Sequence, residues 1–108
     1  NGFYTKYADG TLRCWVNKLS STGSTATGNF FISSSANAWT FPIPFISRPY
    51  VLMSIDKIVA QGANPIGVTR AASTDYSGTG IDNIFVWYNA ASAAVRTEII
   101  LEAIGKWK

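Results

Sequence analysis

The chain has 108 residues, of which 47% are hydrophobic and only 14% charged; nine Lys/Arg against six Asp/Glu give a net charge of +3, and there is one cysteine and no histidine. This is the length of one domain, and folding at that size hides roughly two-thirds of the surface of the unfolded chain. The composition excludes an intrachain disulfide, histidine-based acid–base catalysis and most zinc or transition-metal sites, so neither metal nor cofactor is expected.

The positive residues are scattered from Lys6 to Lys108, which gives no clustered basic face for nucleic acid. No run approaches the roughly 20 apolar residues of a membrane span, so no membrane insertion is expected. A charge fraction well below the roughly 25% of an average soluble domain implies a sticky surface, part of which copies of the chain would cover.

Residues 3–7 and 11–18 read as two strands around Asp9-Gly10, a strong hairpin signal. In the second strand Leu12, Cys14 and Val16 fall on one face and are assigned to the core, with Cys14 a small core residue. Arg13, Trp15 and Asn17 fall on the other, and a tryptophan there suggests that this face too is partly covered. Residues 20–29 read as a polar loop, followed by a short apolar run, Phe30-Phe31-Ile32, and a second connection over residues 33–37.

The segment from Trp39 to Tyr50 holds three of the four prolines: Pro42, Pro44 and Pro49. Trp39, Phe41, Ile43 and Phe45 alternate at strand spacing, yet proline donates no backbone hydrogen bond. An extended edge segment, burying one apolar row and denying pairing on its outer side, reconciles the two. Residues 50–55 are apolar on both faces and are placed centrally in a sheet.

Asn64-Pro65 favours a turn, Ile66–Ala72 a strand, and residues 73–82 a second polar loop carrying Tyr76. Ile84–Tyr88 is a strand of bulky residues, and residues 89–94 a small-residue turn. The last strand runs from about Val95 to Ile104. It places Val95, Thr97, Ile99, Leu101 and Ala103 on one face, and Arg96, Glu98, Ile100, Glu102 and Ile104 on the other. The mixed second row suits a contact between subunits; a half-exposed outer face is the alternative. A helix over 90–101 is disfavoured by the β-branched run Thr97, Ile99, Ile100. The chain end Lys106-Trp107-Lys108 is read as solvated. The whole pattern is that of an all-β protein, a small antiparallel β-sandwich.

No nucleophile motif occurs, and Glu98 and Glu102, four apart on a strand, stand roughly 13 Å from one another, too far for a glycosidase pair at roughly 5–10 Å. Gly78-Thr79-Gly80 has no helix after it and is no phosphate loop. No catalytic residue is assigned. Carbohydrate recognition fits better, because it uses aromatic faces for sugar C–H groups and planar polar side chains for hydroxyls. The candidates are Asp75, Tyr76, Asp82 and Asn83 in and after the second polar loop, Trp87 and Tyr88 on the next strand, and Asn64 and Arg70 around the preceding one. Each has a plainer reading: Asp75 and Asp82 as solvated turn residues, Tyr76 as an exposed loop aromatic, Trp87 as a core or subunit-interface residue, Arg70 in a surface salt bridge.

Three stretches carry a family resemblance. The opening Asn1-Gly2-Phe3-Tyr4, then Asp9-Gly10-Thr11-Leu12 and Trp15, the segment Phe41-Pro42-Ile43-Pro44-Phe45, and the ending Ala103-Ile104-Gly105 resemble, in this order, the C-terminal domains of bacteriophage tail fibres. The chain departs from the family form at Cys14, where Gln is usual, at Val16, where Gly is usual, and in the added tail 106–108. The resemblance implies a small β-sandwich at the distal, C-terminal tip of a longer fibre protein in the virion. It implies a homotrimer without enzymatic activity that recognises bacterial surface polysaccharide or lipopolysaccharide during host adsorption. A structural cap that trimerises the fibre is the alternative, and a polysaccharide-degrading enzyme the third.

Overall fold

The computed structural model describes residues 1–20, 25–27, 30–33, 35–58, 65–70, 75–88 and 97–108. Nine strands are present and no helix occurs among these residues: β1 Phe3–Lys6, β2 Thr11–Leu19, β3 Thr25–Thr27, β4 Phe30–Ile32, β5 Asn37–Thr40, β6 Tyr50–Ile58, β7 Pro65–Arg70, β8 Gly80–Tyr88 and β9 Thr97–Lys106. They form two antiparallel sheets. The first has the order β1-β2-β9-β6; in the second, β8 carries β7 on one edge and both β4 and β5, end to end, on the other, with β3 outside β4.

The core lies between the sheets. Alternation on β2 and β9 sends Leu12, Cys14, Ile99, Leu101 and Ala103 inward, where they meet Ile84, Val86 and Tyr88 of β8. Burying an apolar side chain of this size is worth about 1.5–3 kcal/mol. The expected faces of β2 and β9 are therefore those observed, and Asp9-Gly10 does close the β1–β2 hairpin. Gly10 takes a φ of +97°, a conformation glycine adopts without steric cost, and the Asp9 carboxylate accepts a hydrogen bond from the Thr11 N–H at 2.8 Å.

Four expectations are corrected. The polar stretch 20–29 contains a strand, β3, pairing Thr25 with Ile32 and Thr27 with Phe30; β-branched threonines suffice for an outer strand without an apolar row. The segment after Trp39 stops pairing at Thr40 and continues as an irregular strap over residues 41–49. Its apolar row still packs inward: Trp39, Phe41 and Phe45 are buried and meet edge to face, with ring centroids 4.9 and 5.1 Å apart. The strap's N–H groups go to carbonyls elsewhere, Phe41 to Thr79, Phe45 to Gly78 and Ile46 to Lys106. Pro42 and Pro44 have no donor to place, which lets the chain leave the sheet without orphaning one. Room for Phe45 comes from Gly105, where a Cβ would stand 2.8 Å from the ring.

The third correction concerns β6, which is an edge strand and not a central one. Val51, Met53 and Ile55 pack against the core, whereas Tyr50 and Leu52 point out. The fourth concerns the chain end. Trp107 docks on the β1–β2 turn, its Nε1 donating to the Tyr7 carbonyl at 3.0 Å, with Lys6 and Lys108 over its ring. The expected turn at residues 89–94 and the residues Val95 and Arg96 lie outside the described set.

Candidate functional site

A cleft of about 280 Å³ opens where β5, the start of β8 and the segment 75–79 meet; it is lined by Ala38–Thr40, Asp75–Ser77 and Gly80–Asp82. Its size is just under the roughly 300–1,000 Å³ of small-molecule sites.

Local sequence explains why acids face it. Along β8, Ile81 and Ile84 both turn into the core. Strict alternation forbids that for residues three apart. A bulge resolves the conflict: between the pairs Asn37–Ile84 and Trp39–Ile81, two residues of β8 oppose the single Ala38 of β5. Asn83 absorbs the irregularity with a φ of +54°, a left-handed conformation that asparagine tolerates better than most residues. The inserted residue aims the Asp82 side chain into solvent, a common use of bulges beside functional sites. The second polar loop therefore ends earlier than expected: Asp82 and Asn83 belong to β8.

Tyr76 anchors the opposite wall. Its hydroxyl donates to the Pro49 carbonyl at 2.8 Å, tying the segment 75–79 to the strap, and its ring packs on the core. Two guanidiniums lie over that ring, Arg48 at 5.2 Å and Arg70 at 5.4 Å from its centroid. Each holds one acid of the cleft. Arg48 donates to Asp75 Oδ1 at 2.8 Å; Arg70 donates to Asp82 Oδ1 at 2.8 Å and to the Asp82 carbonyl at 3.1 Å. Arg70 is only 15% exposed, whereas Asp82 and Asp75 are 65% and 84% exposed. The pairs thus bury the base more than the acid. Exposed ion pairs of this kind contribute about 0–1 kcal/mol to stability; their geometric effect is to fix Oδ1 of each carboxylate on its arginine.

Four of the sequence candidates therefore converge: Arg70, Asp75, Tyr76 and Asp82. Asn83 stands beside them in the bulge. Tyr76 departs from its expected role, because the guanidiniums occupy the ring that would stack on a sugar; it is a support for the two arginines. Trp87 is elsewhere, about 16 Å along β8 from Asp82 at strand rise. It is half-buried, donates from Nε1 to Thr69 Oγ1 at 2.7 Å, and meets Phe30 edge-on. Tyr88 is corrected outright. It is fully buried, and its hydroxyl lies 2.8 Å from Thr97 Oγ1 and 3.3 Å from Ser20 Oγ, so its ring has no face to offer a ligand. Asn64 lies outside the described residues.

The sequence candidates do not include Arg48 or the β5 residues 38–40, because the segment from Trp39 to Tyr50 reads as an extended edge element. Arg48 finds its partner 27 positions away, and no local pattern signals such a pairing.

No family model, no curated protein and no solved structure matches the chain. Two pre-oriented carboxylates, the Ser77 hydroxyl and the Thr40 segment make an open, acceptor-rich wall above the buried Trp39 and Ile81. Such a wall takes hydrogen bonds from a ligand rich in hydroxyl donors.

Proposed function

We propose that this protein is a carbohydrate-binding module, the tip domain of a phage tail fibre, that engages bacterial surface polysaccharide or lipopolysaccharide through the cleft between β5, the start of β8 and the segment 75–79. The observation that carries the reading is the convergence of Asp75 and Asp82 on one cleft, each fixed by its own arginine against Tyr76. Sugar hydroxyls donate to these two exposed carboxylates, and the polar rim sets their orientation. The family resemblance of the opening, the proline segment and the ending supplies the fibre context, including assembly as a homotrimer and location in the virion. A single cleft of this openness binds weakly; several copies on one fibre raise the effective concentration, so avidity exceeds single-site affinity by about 10²–10⁴. The reading assigns binding and no chemical step to the cleft.

The test is adsorption of the isolated domain to host cells and to purified surface polysaccharide. Binding that is lost in Asp75→Asn/Asp82→Asn supports the reading; binding unchanged by that double substitution, or none to any host polysaccharide, sinks it. The structural-cap reading draws on a different feature, the exposed apolar face of the first sheet. It predicts that removing this domain dissolves the fibre, while fibres assembled without it still adsorb.

A further inference from the structure

The outer face of the first sheet is unlike the rest of the surface. Strand register lays its residues in rows across β1, β2, β9 and β6: Phe3, Trp15, Glu102 and Leu52 in one, Thr5, Arg13, Ile104 and Tyr50 in the next, then Asn17, Ile100 and Ser54. Tyr50 is 84%, Phe3 66% and Leu52 59% exposed, and Ile100 and Ile104 are partly so. Large side chains are normally left singly at a surface; here they are contiguous. The middle of the face is also ordered. Phe3 stacks on Trp15 with centroids 6.0 Å apart, Arg13 lies over the Trp15 ring at 4.7 Å, and its Nε donates to Glu102 at 2.8 Å. Trp, Tyr and Arg are the side chains that carry most binding energy at protein interfaces, and these are held in place before any partner arrives.

We infer that this face is the surface through which copies of this chain associate, with Trp15 and the Arg13–Glu102 pair at its centre and Phe3 of β1 and Leu52 and Tyr50 of β6 on its two flanks. Two observations select a second copy over other occupants. The first is charge. The described charged side chains of the face nearly cancel, Arg13 and Lys106 against Glu98 and Glu102, with Asp56 at the rim. A balanced face does not repel its own duplicate, as a single-signed one does, and it offers no excess of positive charge to an anionic membrane or nucleic acid. The second is size. Three strands of nine or ten residues and the four-residue β1, about 4.8 Å apart, span roughly 500 Å². That approaches the roughly 800 Å² per partner of a stable protein interface once side-chain relief is included. This surface does not depend on the cleft reading, since it lies on the other sheet.

Light scattering and sedimentation of the whole chain from about 1 to 100 µM, beside Leu52→Lys and Ile46→Lys, test the inference. Ile46 is the control, an apolar residue 65% exposed but outside the sheet. The expected result is a wild-type mass that is a multiple of 11.7 kDa. Leu52→Lys raises the concentration of half-assembly by at least about thirtyfold with an unchanged circular dichroism spectrum, and Ile46→Lys has no effect. A wild type that is monomeric at 100 µM overturns the inference. So does Leu52→Lys assembly equal to wild type, or a monomer that binds zwitterionic lipid vesicles through Leu52. Because Leu52 is already exposed, Leu52→Lys leaves the core intact, and Tyr50→Lys repeats the test at a second position.

Discussion

Two tyrosines, twelve residues apart in sequence, each organise a polar cluster, and the clusters are opposites. Tyr88 sits in the sealed interior. Ser20 Oγ accepts the Thr97 N–H, the Ser20 N–H reaches the Thr97 carbonyl, and the Tyr88 hydroxyl joins both side chains. No described buried side-chain polar atom lacks a partner. These bonds tie β8 and β9 to the end of β2. Tyr76 sits at an open edge. Its hydroxyl and ring are also used, on Pro49, Arg48 and Arg70, but the two carboxylates that this support positions keep capacity to accept. A buried polar network is costly unless satisfied and so becomes structure; an exposed one can remain partly unspent and so becomes a site.

The contrast breaks first at Tyr88. Replacing it with alanine removes a large core side chain and strands two hydroxyls, at a cost of about 3–5 kcal/mol, which lowers Tm by more than about 10 °C at this chain length. Tyr88→Phe keeps the ring and costs about 1–3 kcal/mol, for the hydrogen bonds left unmade. In neither variant does glycan affinity per folded molecule change, as calorimetric melting followed by a binding titration below Tm would record. Loss of affinity in folded Tyr88→Phe would join the two clusters that the structure separates.

Asp82→Asn is the mirror experiment. The group is exposed, so the melting temperature moves by no more than the equivalent of about 1 kcal/mol. The neutral amide accepts more weakly, and binding falls by about tenfold to a hundredfold.

These two variants also mark where sequence was sufficient. The Asp9-Gly10 hairpin and the alternation of Thr97, Ile99, Leu101 and Ala103 are local patterns with one physical solution, and both were legible. So was the inward packing of Trp39, Phe41 and Phe45. Tyr76 and Tyr88 were not separable, because both follow polar or bulky stretches and only the tertiary fold decides which is sealed. β6 reads as central because Tyr50 and Leu52 are apolar; strand pattern alone does not tell that both are exposed on an edge strand. The bulge at Asp82-Asn83 follows from two isoleucines three apart competing for one core, a conflict visible only once the strand register is known.

The smallest effect concerns Cys14. Burial pushes its thiol pKa up, so the folded state holds the proton more tightly than the unfolded one. The associated stability is fully present below the ordinary thiol value of about 8.5 and is lost as pH rises through the folded value. Melting between pH 8 and pH 10 should therefore fall more steeply for the wild type than for Cys14→Ala. Equal slopes would mean that the thiol reaches water in the native state.

The central claim is that the cleft supported by Tyr76 is where glycan binds. Titrating isotopically labelled protein with an oligosaccharide from host surface polysaccharide, while following backbone amide resonances, tests it most directly. The account predicts saturable shifts concentrated at Ala38–Thr40, Asp75–Ser77 and Gly80–Asn83, absent in Asp75→Asn/Asp82→Asn. Shifts centred instead on Trp87 and Thr69, or on the sheet face around Trp15 and Leu52, would contradict it.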